Sequence, residues 1–224
     1  MFKEIIIFNN MEFKTITSDD NPYLNVAVDD CHLDLVYGLI RSHKPGNVLE
    51  LGVGSGKTTV VLIKALKKNE NLKKLTLVDN WIDWKGNKPT HIQELEEYID
   101  IVESDEKEFL FSCNKSFDFI FSDADHWNTD KWFDYVYDRI LSNNGILIYH
   151  DVSREEIFRK HNKTEIRFSN LENILIKCKQ RGISHVHLDK CSTPEERCYR
   201  GFLVIFKSQL QNITVSNNSL LVNN

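Results

Sequence analysis

The 224-residue chain is 41% hydrophobic and 27% charged, which supplies one core of ordinary size and excludes a largely disordered protein. With 28 Lys and Arg against 33 Asp and Glu its net charge is −5, so electrostatic capture of nucleic acid is not expected. Five scattered cysteines (Cys31, Cys113, Cys178, Cys191, Cys198) suit a reducing cytoplasm, the apolar run in "MFKEIIIFNN" is too short for a secretion signal, and no stretch approaches membrane-spanning length.

In chain order, residues 1–27 read as an N-terminal extension and residues 28–42 as a helix ahead of the first strand, 48–51. That strand runs into Glu50-Leu51-Gly52-Val53-Gly54-Ser55-Gly56. A helix follows over 57–68, with Val60, Val61, Ile63, Ala65 and Leu66 forming the apolar face of a helix lying on a sheet. The loop between them admits three readings. A phosphate-binding P-loop fits at Gly56-Lys57-Thr58, but its first glycine would have to stand at Leu51. A dinucleotide fingerprint requires glycine where the chain has Lys57. The third reading is an acid followed by glycines at alternate positions. Such glycines let the backbone approach a ligand closely, and an acid at a strand end can reach a cationic group.

The next strand, 75–79, ends in Asp79, 23 residues after Gly56, where an acid in an open α/β sheet takes ribose hydroxyls. A turn or helix cap is the alternative role for it. Helices are expected over 91–98 and 106–111, around a strand at 99–103. Ser104 and Asp105 follow that strand, and Asp105 could equally cap the helix after it. The strand 117–122 leads into Asp123, Asp125 and His126, and the strand 146–150, after a helix over 129–141, leads into His150 and Asp151. Ligands of open α/β sheets bind at the carboxyl ends of strands, and carboxylates beside an imidazole suit a hard divalent cation. "FDFIFSD", 117–123, could also pass for the second motif of a nucleotide-binding protein.

The charged stretch 153–170, with Arg154, Arg159, Lys160 and Arg167, reads equally as a solvated loop or as a loop covering an anionic or hydroxyl-rich ligand, and residues 170–181 as a helix closed by Gly182. Strands at 185–188 and 202–206 have no helix between them and should pair antiparallel, with "DKCSTPEERCYRG" as their loop. His185, His187, Cys191 and Cys198 match no compact zinc spacing, and His-Val-His reads as alternate positions of a strand. Trp81, Trp84, Trp127 and Trp132 flank the strand ends and could wall a pocket or pack in the core. Residues 208–224 read as a polar tail. The expected fold is α/β, a doubly wound, seven-stranded, mostly parallel sheet with the last strand antiparallel, over 28–207.

Glu50 with Gly52, Gly54 and Gly56, together with Asp79 and the terminal strand pair, resembles the class I S-adenosylmethionine-dependent methyltransferases over about residues 28–206. The resemblance implies a Rossmann-like fold and S-adenosylmethionine as cofactor. Its ligands would be Glu50, Gly52, Gly54, Gly56 and Asp79, with Ser104 and Asp105 facing the adenine. The second cluster is similar to that of the metal-assisted small-molecule O-methyltransferases of the catechol, caffeoyl-CoA and natural-product sugar types. That likeness implies Asp123, His150 and Asp151 as ligands of Mg²⁺ or another divalent cation. It makes Asp123 and His126 the catalytic residues, His126 being the general base three positions after the first aspartate. His150 departs from the pattern, because those enzymes carry Asp or Glu there. The implied acceptor is a small-molecule hydroxyl, with no nucleic-acid or membrane partner, and self-association is left open. A P-loop-like nucleotide-binding protein or small-molecule kinase is the alternative, and a non-catalytic cofactor-fold subunit is another.

Overall fold

Short β-branched runs alternate with amphipathic segments along this chain, and the central runs, 48–51, 75–78 and 146–150, become strands buried on both faces. The computed structural model describes residues 7–8, 11–12, 28, 30–69, 74–82, 99–152, 155–160, 163–168, 170–193 and 197–208. The expected helix 91–98, Trp84, Arg154 and the tail beyond Ser208 lie outside the described residues, as does most of the extension 1–27. Two short segments of that extension, β1 (Ile7–Phe8) and β2 (Met11–Glu12), pair antiparallel.

Five strands form the parallel part of the main sheet: β3 (Asn47–Leu51), β4 (Lys74–Asp79), β5 (Ile99–Glu103), β6 (Phe117–Ser122) and β7 (Leu141–His150). Their order is β5-β4-β3-β6-β7, so the strand order reverses between β3 and β6. Two further strands, β10 (Ser184–Thr193) and β11 (Arg197–Phe206), complete seven. The last strand, β11, runs antiparallel to β7 on one side and to β10 on the other, the expected arrangement.

The helices are α1 (Asp30–His43), α2 (Lys57–Lys68), α3 (Glu106–Ser112), α4 (Thr129–Tyr135) and α5 (Glu172–Gln180). A π-helical turn, Val136–Ile140, ends α4 where the sequence predicts continuous helix. Side chains alternate between two cores. Val48, Phe119, Phe121 and Ile148 face α1 and α2, whereas Leu49, Ile120, Leu147 and Tyr149 face α4 and α5. Gly182 closes α5 at φ 64°, the left-handed conformation that glycine adopts without strain.

Two expectations about loops are corrected. Residues 155–168 form the hairpin β8 (Glu155–Lys160) and β9 (Lys163–Phe168), joined to β11 through Ile157 opposite Cys198. Four apolar residues in "EEIFRK" and "KTEIRF" suffice for a ladder, but the charges around them conceal the strand pattern. Most of the stretch between residues 188 and 202 is also ladder, with register shifts after Leu188 and Cys191. Among the described residues no helix is long and apolar enough to cross a membrane.

Candidate active site

The end of β3 and the end of β6 meet at the point where the strand order reverses, the usual ligand crevice of an open α/β sheet. Two backbone bonds hold these ends together. The Asp123 amide donates to the Leu51 carbonyl at 2.8 Å, and the Gly52 amide to the Val78 carbonyl at 2.9 Å. Gly52 has φ 80°, and a Cβ built on it would stand 2.2 Å from the Asp123 carbonyl oxygen. Only glycine lets the loop after β3 lie directly against the Asp123 segment.

Glu50 is fully buried at the end of β3. Its Oε2 accepts from the Thr59 hydroxyl at 2.7 Å, across the loop on the first turn of α2. Its Oε1 is buried and meets no donor among the described residues. Burial pushes the Glu50 carboxyl up to about 8, the Thr59 bond lowering it in part and the Asp79 and Asp123 carboxylates adding to the rise. A buried acceptor without a donor is costly, and an ammonium group from a ligand would supply the donor. Asp79 ends β4 and ties the loop from below, its Oδ2 accepting from the Gly54 amide at 2.8 Å and its Oδ1 from the Trp81 amide at 2.6 Å. Trp81 follows at φ 52°, a left-handed conformation that a bulky residue adopts only under constraint.

The second cluster assembles from β6, β7 and the loop after β6. His150 is fully buried, and its Nδ1 lies 3.2 Å from Asp123 Oδ1 and 3.1 Å from Asp151 Oδ1. His126 Nε2 lies 3.4 Å from Asp123 Oδ1 and 3.6 Å from Asp151 Oδ2. Asp151 is itself buried with φ 58°, a second left-handed non-glycine at the crevice. Burial opposes a charged His150, but the Asp151 and Asp123 carboxylates outweigh it and hold the imidazole well above its ordinary value. Burial likewise opposes the Asp123 carboxylate, and His150 and His126 together bring it below the usual range. One ligand atom from each of Asp123, His150 and Asp151 falls within 4.8 Å of the others, a donor set that fits a divalent cation.

Other candidates have structural work. Asp105 caps α3, its Oδ1 accepting from the amides of Lys107 at 2.9 Å and Glu108 at 3.4 Å. The Ser104 hydroxyl donates to the Asp105 carbonyl. Asp105→Ala should cost about 1 kcal/mol, read as a lower urea midpoint at unchanged slope. An unchanged midpoint would mean that the cap carries no weight. Asp125 takes the amides of Trp127 and Asn128 and so shapes the turn into α4. Trp81 and Trp132 are core residues, while Trp127 is about half exposed. His185 and His187 bond to the carbonyls of Ile183 and Val152, as positions of a strand.

Three residues of the site escape a reading of the sequence. Thr59 serves Glu50. Glu106, buried under the loop after β6, accepts from the Thr129 hydroxyl at 2.9 Å and, at 3.4 Å, from the Ser122 hydroxyl and the Asp125 amide. Burial is the main cause that pushes the Glu106 carboxyl up to about 7. His32 of α1 reaches His150 from 118 residues away in the chain. A polar residue on a helix start signals only itself; its partner is set by packing.

Residues 49–152 match a sequence model of methyltransferase domains. No curated protein matches the chain in sequence. The solved structure of the O-methyltransferase TomG of Streptomyces achromogenes, involved in tomaymycin synthesis and bound to S-adenosylmethionine, aligns with TM-score 0.62 at 13% identity, over 85% of this chain and 86% of its own. An O-methyltransferase of Bacillus cereus, bound to S-adenosylhomocysteine, aligns with TM-score 0.62 at 18% identity, over 85% and 88%. A Staphylococcus aureus protein described as a candidate caffeoyl-CoA O-methyltransferase aligns with TM-score 0.59 at 19% identity, over 85% and 90%. At such identities the likeness is one of fold. By the order of its sheet and by the match over residues 49–152, the chain resembles the class I S-adenosylmethionine-dependent methyltransferases.

Proposed function

We propose that the chain transfers a methyl group from S-adenosylmethionine to a hydroxyl of a small molecule, a sugar or catechol-like alcohol, in the cytoplasm. Mg²⁺ or another divalent cation would be held by Asp123, His150 and Asp151. The observation that carries this reading is the contact of the Gly52 loop with the Asp123 backbone, which sets a glycine-rich cofactor loop beside an acid–imidazole cluster. Leu51 speaks against the P-loop alternative, since it is a fully buried strand residue where that loop needs its first glycine.

Each residue then has a role in this reading. Glu50 takes the methionine ammonium on its unpartnered Oε1, and Asp79 supplies its remaining lone pairs to the ribose hydroxyls while holding Gly54 and Trp81. A bound divalent cation supplies Lewis acidity toward the acceptor hydroxyl. His126 Nε2 takes the hydroxyl proton, and the carboxylates of Asp123 and Asp151 beside it stabilise the imidazolium that results. Gly52 and Asp123 hold the two reactants in one crevice, so positioning supplies a large part of the rate.

The direct test is calorimetry with S-adenosylhomocysteine, followed by transfer of a labelled methyl group over a panel of catechols and sugars with and without EDTA. Absence of binding, with Asp79→Ala behaving as wild type, would sink the cofactor reading, and transfer indifferent to EDTA the cation.

The buried Glu50 makes a pH prediction for the same experiment. In the fold its carboxyl is held at about 8, above the ordinary 4.5 of a glutamate in the unfolded chain, so its contribution to folding is largest below 4.5 and is lost as the pH rises toward 8. An ammonium beside it favours the carboxylate. Cofactor binding near neutral pH should therefore release about one proton, and affinity should climb as the pH approaches 8. Calorimetry in buffers of different ionisation heat measures the release, and Glu50→Gln should abolish it. An equal release from that variant would remove Glu50 from the linkage.

A further inference from the structure

We infer that His32 is the positioning residue of the cation site, holding His150, once a cation between Asp123 and Asp151 has displaced its Nδ1 proton, in the one tautomer that turns a lone pair toward that cation. The inference rests on the cation reading above. His150 has two ring nitrogens and no exposure. Nδ1 faces the two carboxylates, and Nε2 lies 3.1 Å from His32 Nδ1. If Nδ1 is to donate its lone pair to a cation, the proton of the neutral ring must reside on Nε2. A buried N–H needs an acceptor, and His32 Nδ1 is the atom in range.

His32 is held for this task. It is 1% exposed, and its ring stacks on Phe202 of β11 with centroids 4.8 Å apart and planes at 26°. It meets the His150 ring edge-on at 5.1 Å and 75°. Three elements, α1, β7 and β11, thus fix the ring pair. Histidine ligands generally have their second nitrogen bonded, most often to a carboxylate, a carbonyl or water. Here the partner is an imidazole. The cluster already contains two carboxylates around His150 Nδ1, and an imidazole acceptor fixes the tautomer without adding a third negative charge.

The test is titration of the full-length protein with Mn²⁺, by calorimetry or electron paramagnetic resonance, without methyl donor or acceptor. His32→Phe keeps a ring to stack on Phe202 and removes the acceptor. His32→Asn restores an acceptor at the place of Nδ1. We expect His32→Phe to weaken Mn²⁺ binding about 10–100-fold and His32→Asn to recover most of the loss, with S-adenosylhomocysteine affinity unchanged in both. Wild-type Mn²⁺ affinity in a His32→Phe protein that still binds S-adenosylhomocysteine overturns the role of His32 and leaves the cation reading standing. Wild-type protein that binds no Mn²⁺, or Asp123→Asn that binds it undiminished, overturns the cation reading and this inference with it. Should His32→Phe fail to fold, ¹⁵N spectra of wild type saturated with Mg²⁺ decide. A His150 ring protonated at Nε2 supports the inference, and one protonated at Nδ1 overturns it.

Discussion

Gly52→Ala is expected to abolish binding of S-adenosylhomocysteine and to lower the stability of the whole fold. Two costs add at this position. An alanine at φ 80° sits in the left-handed region, at about 1–2 kcal/mol. Its Cβ would also stand 2.2 Å from the Asp123 carbonyl oxygen, 2.5 Å from its carbon and 2.8 Å from Ala124 Cα, all backbone atoms that no rotamer change can move aside. Overpacking of that kind costs roughly 1–3 kcal/mol more. Relief requires the ends of β3 and β6 to part, which displaces Glu50 and strains the Gly54–Asp79 bond on the cofactor side and moves Asp123 out of its cluster. Urea unfolding and calorimetry read the two effects. The control is Gly38→Ala in α1, where an added Cβ meets nothing within 4 Å and the helix should gain about 0.5–1 kcal/mol. A Gly52→Ala protein with wild-type stability and affinity would show that the loop does not press on the Asp123 segment.

Asp123→Asn should leave S-adenosylhomocysteine binding intact while methyl transfer falls by more than about 10²-fold and divalent-cation affinity falls with it. The substitution keeps the shape of the side chain and removes one charge. His150 Nδ1 and His126 Nε2 both have Asp123 Oδ1 as a neighbour, at 3.2 Å and 3.4 Å, so one change weakens the ligand set and the stabilisation of a protonated base together. Glu50 loses a repulsive neighbour, which lowers its pKa and makes it a readier partner for an ammonium. The split between transfer and cofactor affinity is therefore the signature to look for. Equal loss of both, at wild-type stability, would place Asp123 in the cofactor site instead.

The rival roles weighed for particular residues come out differently. Lys57 and Thr58 open α2, as a helix start should, but Thr59 of the same turn also holds Glu50. Asp79 bonds the amide of the second residue after it, as a turn acid does, and at the same time ties the Gly54 amide of the glycine loop. Asp105 caps α3, a role that its place before "EKEF" announces. The hairpin β8–β9 was hidden because a ladder needs a partner strand, and four apolar residues among charges say nothing about one.

The strand–helix alternation, the glycine loop after β3, and the acids at the ends of β4, β6 and β7 are legible from the residues alone. All of these are local: backbone conformation and periodic burial are written within a few residues of where they act. That Gly52 presses on Asp123, that Oε1 of Glu50 is left without a donor among the described residues, and that His32 faces His150 follows only from the packed fold. Those contacts join residues from different strand ends and helices. They exist only once the strand order reverses between β3 and β6 and α1 packs over the sheet, because a buried polar atom takes whichever partner the packing brings within bonding distance.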